Sequence, residues 1–178
     1  MSSKLKKEIF EWVKTIAVAL VLAAIITSVV APTIVSGESM YPTLKDKDYL
    51  FVNKLSYKTK DPKRGDIIVF KTDLVDYESG KKKDLVKRVI ALPGEHLVIK
   101  NNQVIIDGKV LKEDYIHDAY TDGYIDIIVP ENHIFAMGDN RPNSGDSRQA
   151  NLGPINEDEI IGKVMIRLYP FNTIGTVK

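Results

Sequence analysis

Between Lys14 and Glu38 the sequence carries no charged side chain, and the run from Thr15 to Gly37, centred on Ile16-Ala17-Val18-Ala19-Leu20-Val21-Leu22-Ala23-Ala24-Ile25-Ile26, dictates the architecture. As a helix it would measure about 35 Å, enough to cross a hydrocarbon core of about 30 Å. Lys4, Lys6, Lys7 and Lys14 precede it and Trp12 sits where an interfacial anchor belongs. This bias keeps residues 1–14 cytoplasmic and sends the chain beyond the apolar run outward. A buried helix of a soluble domain and a cleaved signal peptide are the alternatives. The run exceeds the apolar region of about 7–15 residues in a signal peptide, and its small-residue site, Val29-x-Ala31, is followed by Pro32. Proline lacks an N–H and has a fixed φ, so it suits an extended scissile segment poorly. A retained single-pass signal-anchor over 15–36 and an exported domain over 37–178 are expected.

The exported part is long enough to bury a core of its own. Short β-rich runs punctuated by turns fill it: 49–53, 66–71, 84–92, 96–100, 103–107, 124–129, 133–137 and 162–169. Asn101-Asn102 has the length and residue type of a two-residue hairpin turn, so an antiparallel, mostly β domain is predicted. One short helical turn is expected at Glu157-Asp158-Glu159, capped by Asn156. Segments 72–83, which includes Ser79-Gly80 and Lys81-Lys82-Lys83, and 109–123 read as variable loops. With 25 Lys and Arg against 24 Asp and Glu, no global field attracts nucleic acid. There is no cysteine, and His96, His117 and His133 lack the close spacing of a zinc site, so neither a metal nor another cofactor is expected.

Ser39, in Gly37-Glu38-Ser39-Met40-Tyr41-Pro42-Thr43-Leu44, is the candidate nucleophile; Pro42 biases Tyr41 away from helix and leaves the serine in a turning or extended backbone. A serine hydroxyl needs a base. Lys87 is the candidate, because period-two alternation in 85–92 places it on one strand face with Leu85, Val89 and Ala91, while Arg88 faces the other way with Val86 and Ile90. Lowering a lysine from about 10.4 to near 8 requires roughly 3 kcal/mol of differential destabilisation, a magnitude that burial supplies. Arg88 stays charged and needs a carboxylate if buried. The polar loop from Gly138 to Arg148 offers Asp139 to Arg88, Asp146 to Arg148, and Ser144 as a hydrogen-bond partner for the Lys87 amine.

Together with Gly65-Asp66-Ile67-Ile68-Val69-Phe70 and Lys87-Arg88-Val89-Ile90-Ala91-Leu92-Pro93-Gly94-Glu95, the Ser39 stretch and the Gly138–Arg148 loop resemble the successive signature boxes of bacterial type I signal peptidases, in the family's order and behind an anchor. The resemblance implies a β protease domain and a Ser/Lys endopeptidase that cleaves secretory preproteins after small, Ala-x-Ala-like residues. It implies Ser39 as nucleophile, Lys87 as general base, Ser144 orienting the lysine, and Asp139, Asp146, Arg148 and Arg88 in support. The expected setting is the outer side of the cytoplasmic membrane, with the lipid bilayer and preproteins as partners and a monomeric enzyme. Gly37 stands where some members carry an oxyanion-binding serine. Backbone N–H groups around Gly37, Ser39 and Met40, that of Ser39 above all, would then hold the oxyanion, and Gly37→Ser is expected to be tolerated or mildly activating. The rival readings are a catalytically silent membrane-anchored module of the same fold and a self-cleaving repressor, which would need a DNA-binding domain in place of the anchor.

Overall fold

In the computed structural model, which describes residues 3–76, 80–116 and 120–177, the apolar run as far as Val29 belongs to helix α1 (Ser3–Val29). His117 and Ser79 lie outside the described residues. No residue of α1 is buried against the rest of the chain, and the helix is long and apolar enough to cross a membrane. It ends at Val29, short of the expected boundary at residue 36. Pro32 cannot donate a helical hydrogen bond, and the β-branched Val30, Thr33 and Ile34 around it favour extended backbone. Val30–Ile34 therefore forms strand β1, antiparallel to β2 (Tyr49–Asn53), and the β domain begins where the helix stops.

The remaining strands are β3 (Ile67–Val75), β4 (Lys82–Ala91), β5 (His96–Lys100), β6 (Gln103–Ile106), β7 (Lys109–Val110), β8 (Ile125–Ile128), β9 (His133–Met137), β10 (Ile155–Asn156), β11 (Ile160–Tyr169) and β12 (Gly175–Thr176). The larger sheet runs β1-β2-β11-β3-β4-β9-β10 with β12 beside β11, and the smaller runs β7-β6-β5-β8. All these pairings are antiparallel. Asn101 and Asn102 join β5 to β6 with φ of 51° and 62°, the positive values a two-residue hairpin demands. The Asn156 side chain accepts from Asp158 N at 2.9 Å and caps the single turn Glu157–Glu159.

Both expected loops are smaller than the sequence suggests. Strands β3 and β4 take in 72–75 and 82–83, stitched by Thr72 Oγ1 donating to Lys83 O at 2.7 Å and by an exposed Lys82–Asp73 ion pair. In 109–123, Lys109–Val110 adds a strand to the smaller sheet. Apolar side chains cover both faces of the β3–β4–β9 centre. Ile68, Phe70, Val89, Ile134 and Ala136 form one cluster, while Ile67 and Val69 join Met40, Leu44, Val52 and Val164 in another. A third, including Ile90, Ala91, Leu97, Ile99, Phe135 and Met137, unites the two sheets.

Candidate active site

Three segments meet at one end of this core: the β1–β2 connection, β4, and the loop after β9. The first is nailed down by Met40 and Leu44, both fully buried, with Leu44 N donating to Met40 O and Tyr41 N to Glu38 O. The Tyr41–Pro42 peptide is cis. Directly before Met40, Ser39 turns its hydroxyl toward β4. Asn140 fixes the turn from the opposite side, its N–H donating to Ser39 O at 3.0 Å and its Nδ2 to Glu38 O at 3.1 Å. The approach needs a glycine at 138, where a Cβ would lie 2.3 Å from Ser39 O and from Ser144 Oγ.

Lys87 Nζ lies 2.6 Å from Ser39 Oγ, and the lysine is 2% exposed. Register places it opposite Ile68, on the face it shares with Leu85 and Val89. Ala91 does not share that face as expected. A register shift between β4 and β9 makes Ile90 a bulge, and Ile90 and Ala91 pack into the same cluster. Burial pushes the Lys87 ammonium down to about 8; Asp146 and Asp139 oppose the shift and Arg148 reinforces it.

Arg88, on the other face, meets Asp139 in a buried two-pronged contact, Nε to Oδ1 at 2.8 Å and Nη2 to Oδ2 at 2.7 Å, and its Nη1 donates to Gly65 O at 3.0 Å. Thr43 Oγ1 donates to Asp139 Oδ2, so this carboxylate ties the Ser39 segment to β4. Asp146 is equally engaged, with Arg148 Nε at 2.9 Å and Nη2 at 3.0 Å, Gly138 N at 3.1 Å and Ser144 Oγ at 2.7 Å. Burial alone would raise the Asp146 pKa, but Arg148, Ser144 and Gly138 hold it below the ordinary value. The expected bond from Ser144 to Lys87 is not formed. The Ser144 hydroxyl donates instead to the ionised Asp146 two residues on, a strong charged acceptor.

The backbone donors differ in availability. Gly37 N is committed to Asp46 Oδ1 at 2.9 Å, whereas Ser39 N and Met40 N have no hydrogen-bond partner among the described residues. Gly37 also has φ of +89°, although space surrounds it. This revises the expectation for Gly37→Ser: a side chain at that φ costs on the order of 1–2 kcal/mol. Denaturant unfolding should show that loss, and an unchanged midpoint would mean that the turn readjusts.

His96 pairs with Asp126 at 2.7 Å and His133 Nδ1 meets Glu131 O at 2.9 Å, so neither is bonded to Ser39. The sequence reading overlooked Thr43, Gly138 and Asn140, although all three lie inside the quoted motifs. It also missed Arg141, whose fully buried guanidinium pairs with Glu113, and Tyr115, whose ring lies 4.1 Å from Arg88 Cζ. No local pattern in 111–121 announces those two contacts.

Residues 9–169 match the family model described as "Signal peptidase, peptidase S26". Signal peptidase I S of Bacillus subtilis (strain 168) is 41% identical over 179 residues, 94% of this chain and 92% of the relative. Signal peptidase IB of Staphylococcus aureus (strain COL) is 36% identical over 187 residues, 94% and 93% of the two chains. A solved signal peptidase I from Enterococcus faecalis V583 aligns with a TM-score of 0.47 at 30% identity, covering 58% of this chain and 97% of its own.

Proposed function

Since the chain belongs to the signal peptidase, peptidase S26, family of serine endopeptidases, we propose that it removes signal peptides from exported preproteins with Ser39 and Lys87 as its catalytic pair. The observation that carries the assignment is a buried lysine amine 2.6 Å from a serine hydroxyl, with its pKa depressed to about 8. At pH 7 roughly a tenth of such a lysine is neutral, far more than of an ordinary one.

Neutral Lys87 takes the Ser39 proton as Oγ bonds to the carbonyl carbon after a small residue. The N–H of Ser39, with that of Met40 beside it, is free to bind the developing oxyanion. Collapse breaks the C–N bond, and the Lys87 ammonium protonates the departing amine. Lys87 then deprotonates a water that attacks the acyl-enzyme and releases Ser39. The Arg88–Asp139–Thr43 and Arg148–Asp146–Ser144 groups hold the two reacting segments in register and leave Lys87 its apolar surroundings. An extended substrate adding to a strand edge would present Ala-x-Ala-like side chains to small pockets. Both reacting groups come from one chain, which suits a monomer.

The setting proposed is the outer face of the cytoplasmic membrane. Four lysines precede the apolar stretch, whereas Lys45 and Lys47 are the only basic residues among the twenty after Val29. Exposed Ile34, Tyr49, Phe51, Ile166, Tyr169 and Phe171 lie on β1, β2, β11 and the turn after β11, at the edge of the sheet that follows α1, Ile34 and Tyr169 both opposite Tyr49 and Ile166 opposite Phe51. Such a surface suits contact with lipid. Protease added outside spheroplasts is expected to degrade the β domain and leave the Lys4–Lys14 segment protected. Protection of the β domain instead would reverse the orientation.

A further inference from the structure

We infer that the Leu111–Ile116 arm is a positioning element for this site, with Tyr115 holding the Arg88 guanidinium so that Asp139 and Thr43 keep the Ser39 segment against Lys87. The inference rests on the Ser39–Lys87 reading. The arm leaves the smaller sheet through Leu111 N, which donates to Val104 O at 2.8 Å, and Leu111 and Tyr115 pack on the apolar cluster that unites the sheets. Tyr115 lays its ring 4.1 Å from Arg88 Cζ. A guanidinium over an aromatic face is attracted by the ring quadrupole, more strongly when desolvated, and Arg88 is only 3% exposed. The two prongs to Asp139 leave this flat face open, and the ring closes it.

The ring is itself held. Tyr115 Oη donates to Glu113 Oε1 at 2.7 Å, and Glu113 pairs with Arg141. Arg141 Nη1 reaches Glu113 Oε2 at 2.9 Å, and its Nε donates to Gly138 O at 3.0 Å. Gly138 is the residue packed against Ser39 O. The arm thus grips the site loop at Gly138 and at Arg88, the two points that fix where Ser39 lies relative to β4. Tyr115 touches neither reacting atom, so its effect on turnover passes through Arg88 and Asp139.

The test compares Tyr115→Ala and Tyr115→Phe in the full-length, detergent-solubilised protein, with Lys87→Ala as reference and a short signal-peptide substrate. Tyr115→Ala is expected to lower kcat about tenfold with KM nearly unchanged, because distortion of the reacting pair leaves distant substrate contacts intact. Tyr115→Phe keeps the ring over Arg88 and is expected to restore kcat to within about twofold of wild type. Wild-type kcat in folded Tyr115→Ala, or equal losses in both variants, overturns the positioning role. Retained activity in Lys87→Ala instead overturns the Ser39–Lys87 reading itself.

Discussion

Lys87→Met is expected to abolish turnover and at the same time to raise the stability of the protein. Methionine fills nearly the same volume with no ammonium to desolvate, and Lys87 sits among Ile68, Leu85 and Val89 at 2% exposure. The folded-state pKa of about 8 lies below the unfolded value of 10.5, so the folded chain binds the proton less well than the unfolded one. Burying the charged lysine therefore costs on the order of 3 kcal/mol below pH 8. The cost shrinks as pH rises from 8 toward 10.5, and the advantage of methionine shrinks with it. Unfolding of wild type and Lys87→Met across that range checks the sign: a stability gap that widens with rising pH would contradict a depressed lysine.

On the proposed mechanism, activity depends on the same proton. Turnover should rise with pH through about 8, where Lys87 becomes a base. Lys87→Arg should fail because arginine stays protonated, and Lys87→His because the ring is too short to span the gap from β4 to Ser39. Ser39→Ala combined with Lys87→Ala should be no slower than either single change, since the two groups act as a unit. Ser144→Ala removes a hydrogen bond to Asp146 and none to Lys87, so its loss should be far smaller. Near-wild-type turnover in Lys87→Ala would remove lysine from the mechanism.

The strands were legible because β-branched runs and turn residues are local signals, and 49–53, 96–100 and 133–137 coincide with β2, β5 and β9. The end of the helix was misplaced because uncharged composition does not distinguish a helix from a strand; Pro32 held that information. Alternation around Lys87 predicted its apolar neighbours up to Val89, but the bulge at Ile90 depends on pairing with β9, which the sequence of β4 alone does not reveal. Contacts inside a motif were readable as chemistry: Arg88 with Asp139 reflects a buried cation that needs an anion. Ser144 was read as a partner of the Lys87 amine, whereas its hydroxyl donates to the ionised Asp146 two residues on, a charged acceptor in the same loop. Glu113 with Arg141 joins residues 28 positions apart, with no periodicity to connect them.

Asp139→Ala is the structural counterpart of the Lys87 change, with the opposite effect on stability. Asp139 is fully buried and receives Arg88 through two bonds and Thr43 through a third. Truncating it leaves a guanidinium, 3% exposed, without its carboxylate, and removal of one partner from a buried pair costs about 3–5 kcal/mol. Turnover should fall too, because Thr43 loses its acceptor and the Ser39 segment its tie to β4. Removing both charges, as in Arg88→Met with Asp139→Leu, should recover much of the stability, since the penalty comes from the unpaired cation. It should recover little activity, since the link to Thr43 stays broken. Thr43→Val breaks that link and the long contact from Arg88 Nη2 at 3.4 Å, leaves the Arg88–Asp139 pair intact, and should cost about 1 kcal/mol of stability, the worth of an ordinary hydrogen bond. Were the double variant as unstable as Asp139→Ala, packing around the carboxylate rather than the orphaned charge would account for the loss.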